Sequence, residues 1–338
     1  MVQIKELIVV EPGRIECQEG ELDEALGPEQ ALVQTEYSIV SAGTEGAGFT
    51  GLVKEMPFGD GGHYPRSTGY GNLGRVLATG PAVTMCQEGD RVLSFSHHAS
   101  VVKADAGRMA LPVPAEADGR KLVFARMAGV SIAALRSSSV QPGDTVLVVG
   151  MGLVGNFAAQ LFRLAGAEVM VADLSELRLA KARACGLERT VNPQRADLEE
   201  AVMDWTSGQG VHVAVEAIGI SEVIAQAAML TRRYGELILL GSPRARAVFD
   251  VTPMLLRIHL EAIRVIGALE WRWPQNPTER ARDLTTNYRQ LVDWIASGRL
   301  QTQPLLTQLA APAECQAVYH GLTANKEEYL GALFDWSR

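Results

Sequence analysis

Residues 144–173, DTVLVVGMGLVGNFAAQLFRLAGAEVMVAD, decide the fold of this 338-residue chain. Val146–Val149 is too short and too β-branched for a helix and fits a buried parallel strand. Gly150, Gly152 and Gly155 follow in the spacing G-x-G-x-x-G. Between a strand and a helix, the first glycine permits the tight turn and the second lets backbone approach a pyrophosphate. The third lets the helix pack closely on the sheet. Backbone N–H groups at the start of that helix hold phosphates, with Leu153 and Val154 packing beneath them. Asp173 closes the next apolar strand about 20 residues on, where a carboxylate accepts the adenosine ribose hydroxyls and repels a 2′-phosphate. NAD(H) is therefore expected over NADP(H). Arg178 qualifies that expectation, because a nearby arginine can serve a 2′-phosphate. A solvated helix face is the plainer place for it.

The rest of the composition agrees with a soluble two-domain protein. The length is enough for two cores, and 47% hydrophobic with 21% charged residues are ordinary globular values. A net charge of −8 argues against nucleic acid or an anionic membrane as the main partner. No apolar run approaches the ~18 residues of a membrane span. The opening MVQIKELIVVEPGR meets acid and proline too early for a signal peptide. Cys17, Cys86, Cys185 and Cys315 are scattered without C-x-x-C spacing, which predicts free thiols and a reducing cytoplasm.

The first 120 or so residues alternate short β-type runs (Ala31–Tyr37, Gly74–Ala78, Asp90–Ser94) with glycine- and proline-rich turns, the pattern of a compact barrel-like domain. From about Lys121 strand and helix patterns alternate. Strands are expected at Val211–Glu216, Glu236–Leu240 and Ile263–Leu269. Helices are expected at Leu177–Cys185, Leu198–Thr206 and Ser221–Thr231. This alternation predicts an α/β, doubly wound parallel sheet. The tail from Pro304 to Trp336 returns to mixed texture, so both ends are expected to build one domain (1–122 and 269–338) around an inserted one (123–268).

Several segments together resemble the medium-chain dehydrogenase/reductase superfamily. They are AGTE at 42–45, GYGNLGRVLATG at 69–80, EGDRV at 88–92, PGDTVLVVGMGLVG at 142–155, EAIG at 216–219 and LLGS at 239–242. The resemblance implies a GroES-like β-barrel catalytic domain beside a Rossmann dinucleotide-binding domain, an active site in the cleft between them, and a homodimer. It implies further cofactor contacts at Gly219 on the adenosine side, at Gly241 and Ser242 near the nicotinamide, and at Leu269 near the carboxamide. SAGTE, the GY pair and the tail GALFDW are also similar to a divergent branch containing the hydroxyethyl bacteriochlorophyllide dehydrogenases, which points to bulky alcohol or ketone substrates.

The departures from the family pattern bear on the chemistry. Zinc-dependent members carry ligands where this chain has Ala42, Tyr70 and, near the third position, Ala125. A methyl group cannot coordinate zinc, and a phenol is a poor replacement for imidazole. The cysteine-rich lobe of structural zinc is also missing, so no zinc is expected. His63, His97, His98 and Glu45 are the donors from which a different metal site would have to be built. Adjacent histidines on a strand would point to opposite faces. Thr44 keeps the hydroxyl position that the family sets against the substrate oxygen; its alternative is a turn hydroxyl. Tyr70 would hydrogen-bond a substrate carbonyl as general acid, or simply wall the site. Glu45 would orient Thr44 or bind a backbone N–H. The segment EWRWPQNP, Glu270–Pro277, would form an aromatic lid or an interdomain plug. Three functions stay open: a zinc-independent NAD(H)-dependent alcohol/carbonyl oxidoreductase, an enone or quinone reductase, and a non-catalytic dinucleotide sensor.

Overall fold

A computed structural model of the chain describes residues 1–55, 62–272 and 283–338. They fall into two compact units, Met1–Met127 with the described part of Trp273–Arg338, and Ala128–Arg272. The divisions lie within the helix Ala125–Ser137 and after Arg272, a few residues beyond the limits 122 and 268 read from sequence. Helical periodicity runs through the first division, so the sequence carries no break there.

The second unit is a Rossmann fold. Its six strands are Thr145–Val149, Glu168–Ala172, Arg189–Val191, Val211–Glu216, Thr231–Leu239 and Arg264–Gly267. Every pairing is parallel. Numbered in chain order within the unit, they stand as 3-2-1-4-5-6, the doubly wound order with its switch point beside the first strand. Thr145–Val149 is therefore central, and its uninterrupted valine–leucine run is buried, as a strand covered on both faces requires. Ser175 caps the helix Glu176–Ala184 and Asp197 caps Leu198–Trp205, each accepting from backbone N–H groups. The register pairs Val149 with both Ala172 and Glu216, and Glu216 with Leu239. The loops carrying Gly150, Asp173, Gly219 and Gly241 consequently open together at the carboxyl end of the sheet.

Three elements differ in their bounds from the sequence reading. The helix from Ser221 ends at Met229, and the strand expected from Glu236 begins already at Thr231. Thr231 pairs with Val211, and pairing resumes at Glu236 opposite Val213. The intervening polar Arg232–Gly235 bulges out, which hid the strand from a period-two search. The last strand is Arg264–Gly267, shorter than Ile263–Leu269.

The first unit is the GroES-like barrel. Its seven-stranded sheet is organised by Gln30–Ile39, which pairs along one edge with Asn72–Thr79. Its other edge is shared, the first half with Val101–Asp105 and the second with Gly331–Asp335. Leu306–Ala310 lies parallel to Gly331–Asp335. A second sheet is built on Val2–Glu11. One cluster of buried residues joins Leu7, Val9, Phe49, Tyr319 and Phe334, so the ends of the chain share a core. All four cysteines are free. Among the described residues no helix is long and apolar enough to cross a membrane.

Candidate functional site

The glycine turn assigns a different task to each of its three glycines. Gly150 has φ 99°, a left-handed backbone that a side chain disfavours. A Cβ on Gly155 would lie 1.8 Å from the Gly150 carbonyl oxygen, so the helix Leu153–Leu164 can pass this close to the strand end only with glycine there. A Cβ on Gly152 would meet nothing within 4 Å. That residue has φ −62° as helix N-cap, so it needs no left-handed freedom. Its bareness leaves an open cradle over the N-terminal N–H groups of a twelve-residue helix, where an anion is favoured. Leu153 is buried, and the Val154 carbonyl accepts from the Ser131 hydroxyl at 2.8 Å.

Asp173 follows its strand and reaches back to the turn. Its Oδ2 accepts from Met151 N–H at 2.6 Å and its Oδ1 from Ser175 N–H at 2.8 Å. Arg178 Nη1 stands 3.7 Å from Oδ2, and its side chain is only 19% exposed. The solvated helix face considered for Arg178 is therefore a correction: the first turn of Glu176–Ala184 aims it at Asp173. Arg178 Nε is buried without a hydrogen-bond partner among the described residues, an orphaned donor in a side chain that lies against Asp173. These residues fit a dinucleotide.

Across the switch point, Gly219 and Gly241 pack backbone against backbone. A Cβ on Gly241 would lie 2.3 Å from Gly219 N. Glu216, which the sequence reading named only within EAIG, organises this crossing. Its buried carboxylate accepts from Ile218 N–H at 2.9 Å and Gly219 N–H at 2.8 Å, while its main-chain oxygen accepts from Leu240 and Gly241. Burial pushes this carboxyl above its ordinary value. Ser242 is exposed beside Gly241. Leu269, 62% exposed, lies two residues past the end of the last strand, not within it.

In the barrel unit, SAGTE folds as the start of the helix Ala42–Thr50, with Ser41 at its N-cap. Tyr70 donates a short hydrogen bond from its hydroxyl to Ser41 Oγ and is also bonded to the Thr44 side chain. Thr44 is exposed and Tyr70 half-buried, and the phenol is gripped by two hydroxyls. Burial raises its pKa, against the lowering effect of Arg126 and the Ser41 bond. Tyr70 thus stays protonated at neutral pH. The sequence reading brought out Tyr70 and Thr44 but missed Ser41.

Glu45 does not join them. It turns inward, accepting from Ser41 N–H at 2.7 Å, from Thr68 at 3.2 Å, from His98 Nε2 at 3.0 Å and, in a short bond, from the Tyr319 hydroxyl. A catalytic place for Glu45 beside Thr44 is corrected by these bonds; of the two roles considered, only that of binding a backbone N–H is seen. Burial alone would raise its carboxyl. The charge and hydrogen bond of His98, with those of Tyr319 and Ser41, bring it below the ordinary value. Burial and the neighbouring Glu45 push Tyr319 well up. His98 Nδ1 pairs with Ser38 Oγ at 2.7 Å, which also accepts from Trp336 Nε1 at 2.9 Å.

His97 and His98 lie in a loop, not on a strand. They still diverge, His98 into the core and His97 outward, 3.8 Å from Glu6. His63 is exposed. The methyl of Ala42 packs on the core, and Arg126, next to Ala125, lays its guanidinium carbon 4.5 Å from the centre of the Tyr70 ring. Among the described residues no three His, Cys, Asp or Glu side chains are grouped to hold a metal ion. A methyl, an engaged phenol and a fixed cation do not fit zinc. Of EWRWPQNP, Glu270–Arg272 forms a short 3-10 turn; the remainder, with the proposed lid, lies outside the described residues.

Residues 154–287 match the family model of zinc-binding dehydrogenases, a stretch that includes none of positions 42, 70 and 125. A sorbitol dehydrogenase of Halalkalibacterium halodurans is 27% identical over 53% of this chain and 63% of its own length. The chain spans between 53% and 63% of the length of the first curated relatives it matches. A zinc-binding dehydrogenase of Sinorhizobium meliloti bound to NADP superposes with a TM-score of 0.82 at 21% identity, over 99% of this chain and 100% of that one. An alcohol dehydrogenase of Escherichia coli complexed with NADH gives 0.80 at 16%, over 99% and 100%. At those identities the likeness is one of fold.

Proposed function

We propose that this chain is a medium-chain dehydrogenase/reductase, an oxidoreductase that passes hydride between NAD(H) and an alcohol or carbonyl carbon without zinc; its match to zinc-binding dehydrogenases over 154–287 and its polyol-dehydrogenase relatives support this. The observation that carries this reading is the Tyr70 phenol held by Ser41 and Thr44, at the position where the resemblance to the family implies a zinc ligand. When bound, NADH would supply the hydride. Gly150, Gly152, Leu153, Val154 and Gly155 would seat its pyrophosphate, and Asp173 with Arg178 would hold the adenosine ribose. Gly219, Gly241, Ser242 and Leu269 border the path to its nicotinamide. In reduction, Tyr70 gives its phenolic proton to the carbonyl oxygen as that oxygen gains charge. The exposed Thr44 hydroxyl then returns a proton from solvent to the phenolate. Oxidation of an alcohol runs the same transfers backwards.

Asp173 supports NAD(H), since its carboxylate stands where a 2′-phosphate would be repelled. The relatives' names support small alcohols or polyols as substrates. A cytoplasmic homodimer belongs to the same proposal. The edge strand Arg264–Gly267 and the helix Thr252–Glu261, with Leu255, Leu256 and Leu260 exposed, offer a second copy an apolar face. Sedimentation at monomer mass would remove the dimer.

The test combines elemental analysis of protein purified without chelator with NADH turnover on a panel of ketones and enones. Zinc well below one per chain, ketone turnover, and a loss of about 10²-fold or more in Tyr70→Phe with NADH affinity kept are expected. One zinc per chain, or a fully active Tyr70→Phe, refutes the mechanism. Turnover of enones alone would move the chain to the reductases, and tight NADH binding without any turnover would leave a sensor.

A further inference from the structure

Among the described residues of the barrel unit, Arg126 is the most deeply buried arginine. It is 1% exposed, in the first turn of the helix Ala125–Ser137. Its Nε donates to the Tyr70 carbonyl oxygen at 2.8 Å, and its Nη1 donates to the Tyr288 hydroxyl. The guanidinium carbon lies 4.5 Å from the centre of the Tyr70 ring and 4.4 Å from that of Phe95. Phe95 in turn packs edge-on against Tyr288, with centroids 5.2 Å apart. Two aromatic faces and two hydrogen bonds leave the cation one position. The sequence makes room for it, because a Cβ on Gly71 would lie 2.6 Å from Arg126 Cγ.

We propose that Arg126 is a positioning residue that stands in for the missing metal, its fixed guanidinium making the Tyr70 hydroxyl a stronger proton donor to the substrate oxygen. This rests on the reading of Tyr70 given above. A cation over an aromatic face is attracted by the ring and more strongly by the same ring as phenolate. The positive charge is therefore felt most when the proton has left Tyr70, which is when the substrate oxygen has gained it. The other groups facing Tyr70 come from the segment 41–45. The Ser41 and Thr44 hydroxyls hold the phenol oxygen, and the Glu45 carboxylate opposes ionisation from behind. Within this set Arg126 supplies the positive charge. Burial makes water a poor screen for it, and a covalently attached cation cannot be taken by a chelator.

The experiment follows the phenolate absorbance of Tyr70 directly, as the alkaline titration of the wild-type chain minus that of Tyr70→Phe. It is repeated in Arg126→Met and Arg126→Lys backgrounds, with folding checked by circular dichroism. Removal of the charge should raise the Tyr70 midpoint by about one to three pH units. It should lower kcat for ketone reduction about tenfold or more while NADH affinity holds. Arg126→Lys, which keeps the charge without the planar stack, should recover at least half of both effects. If Arg126→Met fails to fold, Arg126→Gln keeps an N–H for the Tyr70 carbonyl and carries the comparison. A folded neutral variant with an unmoved Tyr70 midpoint overturns the proposal, as does a lysine variant no better than the neutral one. An active Tyr70→Phe overturns the reading beneath it; an inactive Tyr70→Phe beside a fully active Arg126→Met overturns the Arg126 proposal alone.

Discussion

Gly152→Ala separates binding from folding at the glycine turn. The new methyl group would meet nothing within 4 Å, and the backbone at φ −62° accepts an L side chain. Alanine is a poorer N-cap than glycine by a few tenths of a kcal/mol or more. It also loses less entropy on folding, worth about 0.4–1 kcal/mol in the other direction. The net change in stability should be within about 0.5 kcal/mol. The methyl does intrude on an anion seated over the helix N-terminus. Losing one charge-assisted N–H contact costs about 1.5–3 kcal/mol, which is roughly 10- to 150-fold in Kd. Gly155→Ala should behave oppositely. Its Cβ would sit 1.8 Å from a backbone oxygen, so strand and helix must separate, at about 3 kcal/mol or more. Fluorescence titration with NADH and thermal unfolding of both variants provide the assay. Unchanged NADH affinity in a stable Gly152→Ala protein would refute the seating of the pyrophosphate over that residue. A collapse of its Tm would refute the openness of the cradle.

Asp173→Ala should weaken NADH by about tenfold or more through the lost carboxylate, and should narrow the gap to NADPH as Arg178 is released from its partner at 3.7 Å. An unchanged NADH/NADPH ratio in binding titrations would place cofactor choice elsewhere. Glu45→Gln should destabilise the chain by about 3 kcal/mol, because the amide carries no charge for His98 and turns an NH2 either toward the Ser41 N–H or toward the donors His98, Thr68 and Tyr319. Since the folded Glu45 pKa is lowered from 4.5, its contribution is fully present above about pH 4.5 and is lost as pH falls through the folded value. Acid unfolding monitored by circular dichroism should therefore be blunted in Glu45→Gln, and an identical acid profile would contradict this account.

The nucleotide-binding unit was legible because its signals are local. The strand, the three glycines and Asp173 lie within thirty consecutive residues, 144–173, and the tightest constraint among them, Gly155 against the Gly150 carbonyl, is made inside that stretch. Glu216 escaped because its role depends on the loop 218–220 folding back over its own carboxylate. Thr44 and Tyr70 could be singled out from the positions they occupy in the family pattern. Ser41 and Arg126 could not, since what brings them to Tyr70 is the packing of Ala42–Thr50 and Ala125–Ser137 in a common unit, a relation with no fixed spacing. Glu45 was misread for the same reason. One residue after Thr44 in sequence, it faces the other way in the helix, and its partners His98 and Tyr319 are 53 and 274 residues distant.

The strand Gly331–Asp335 lies inside the barrel sheet, between Leu306–Ala310 and Gln30–Ile39, while the unit Ala128–Arg272 is continuous in the chain. On a ribosome these two arrangements follow different timetables. At about 5–20 residues per second, everything the nucleotide unit needs has left the tunnel several seconds before the strand that completes the barrel. Until then Gln30–Ile39 waits with half of one edge unpaired, its Ser38 without Trp336 and Ile39 without Leu333. An unfinished strand edge is what chaperones recognise and what neighbouring chains pair with. Stalled or prematurely released chains should accordingly carry a finished dinucleotide-binding unit attached to an open, association-prone barrel.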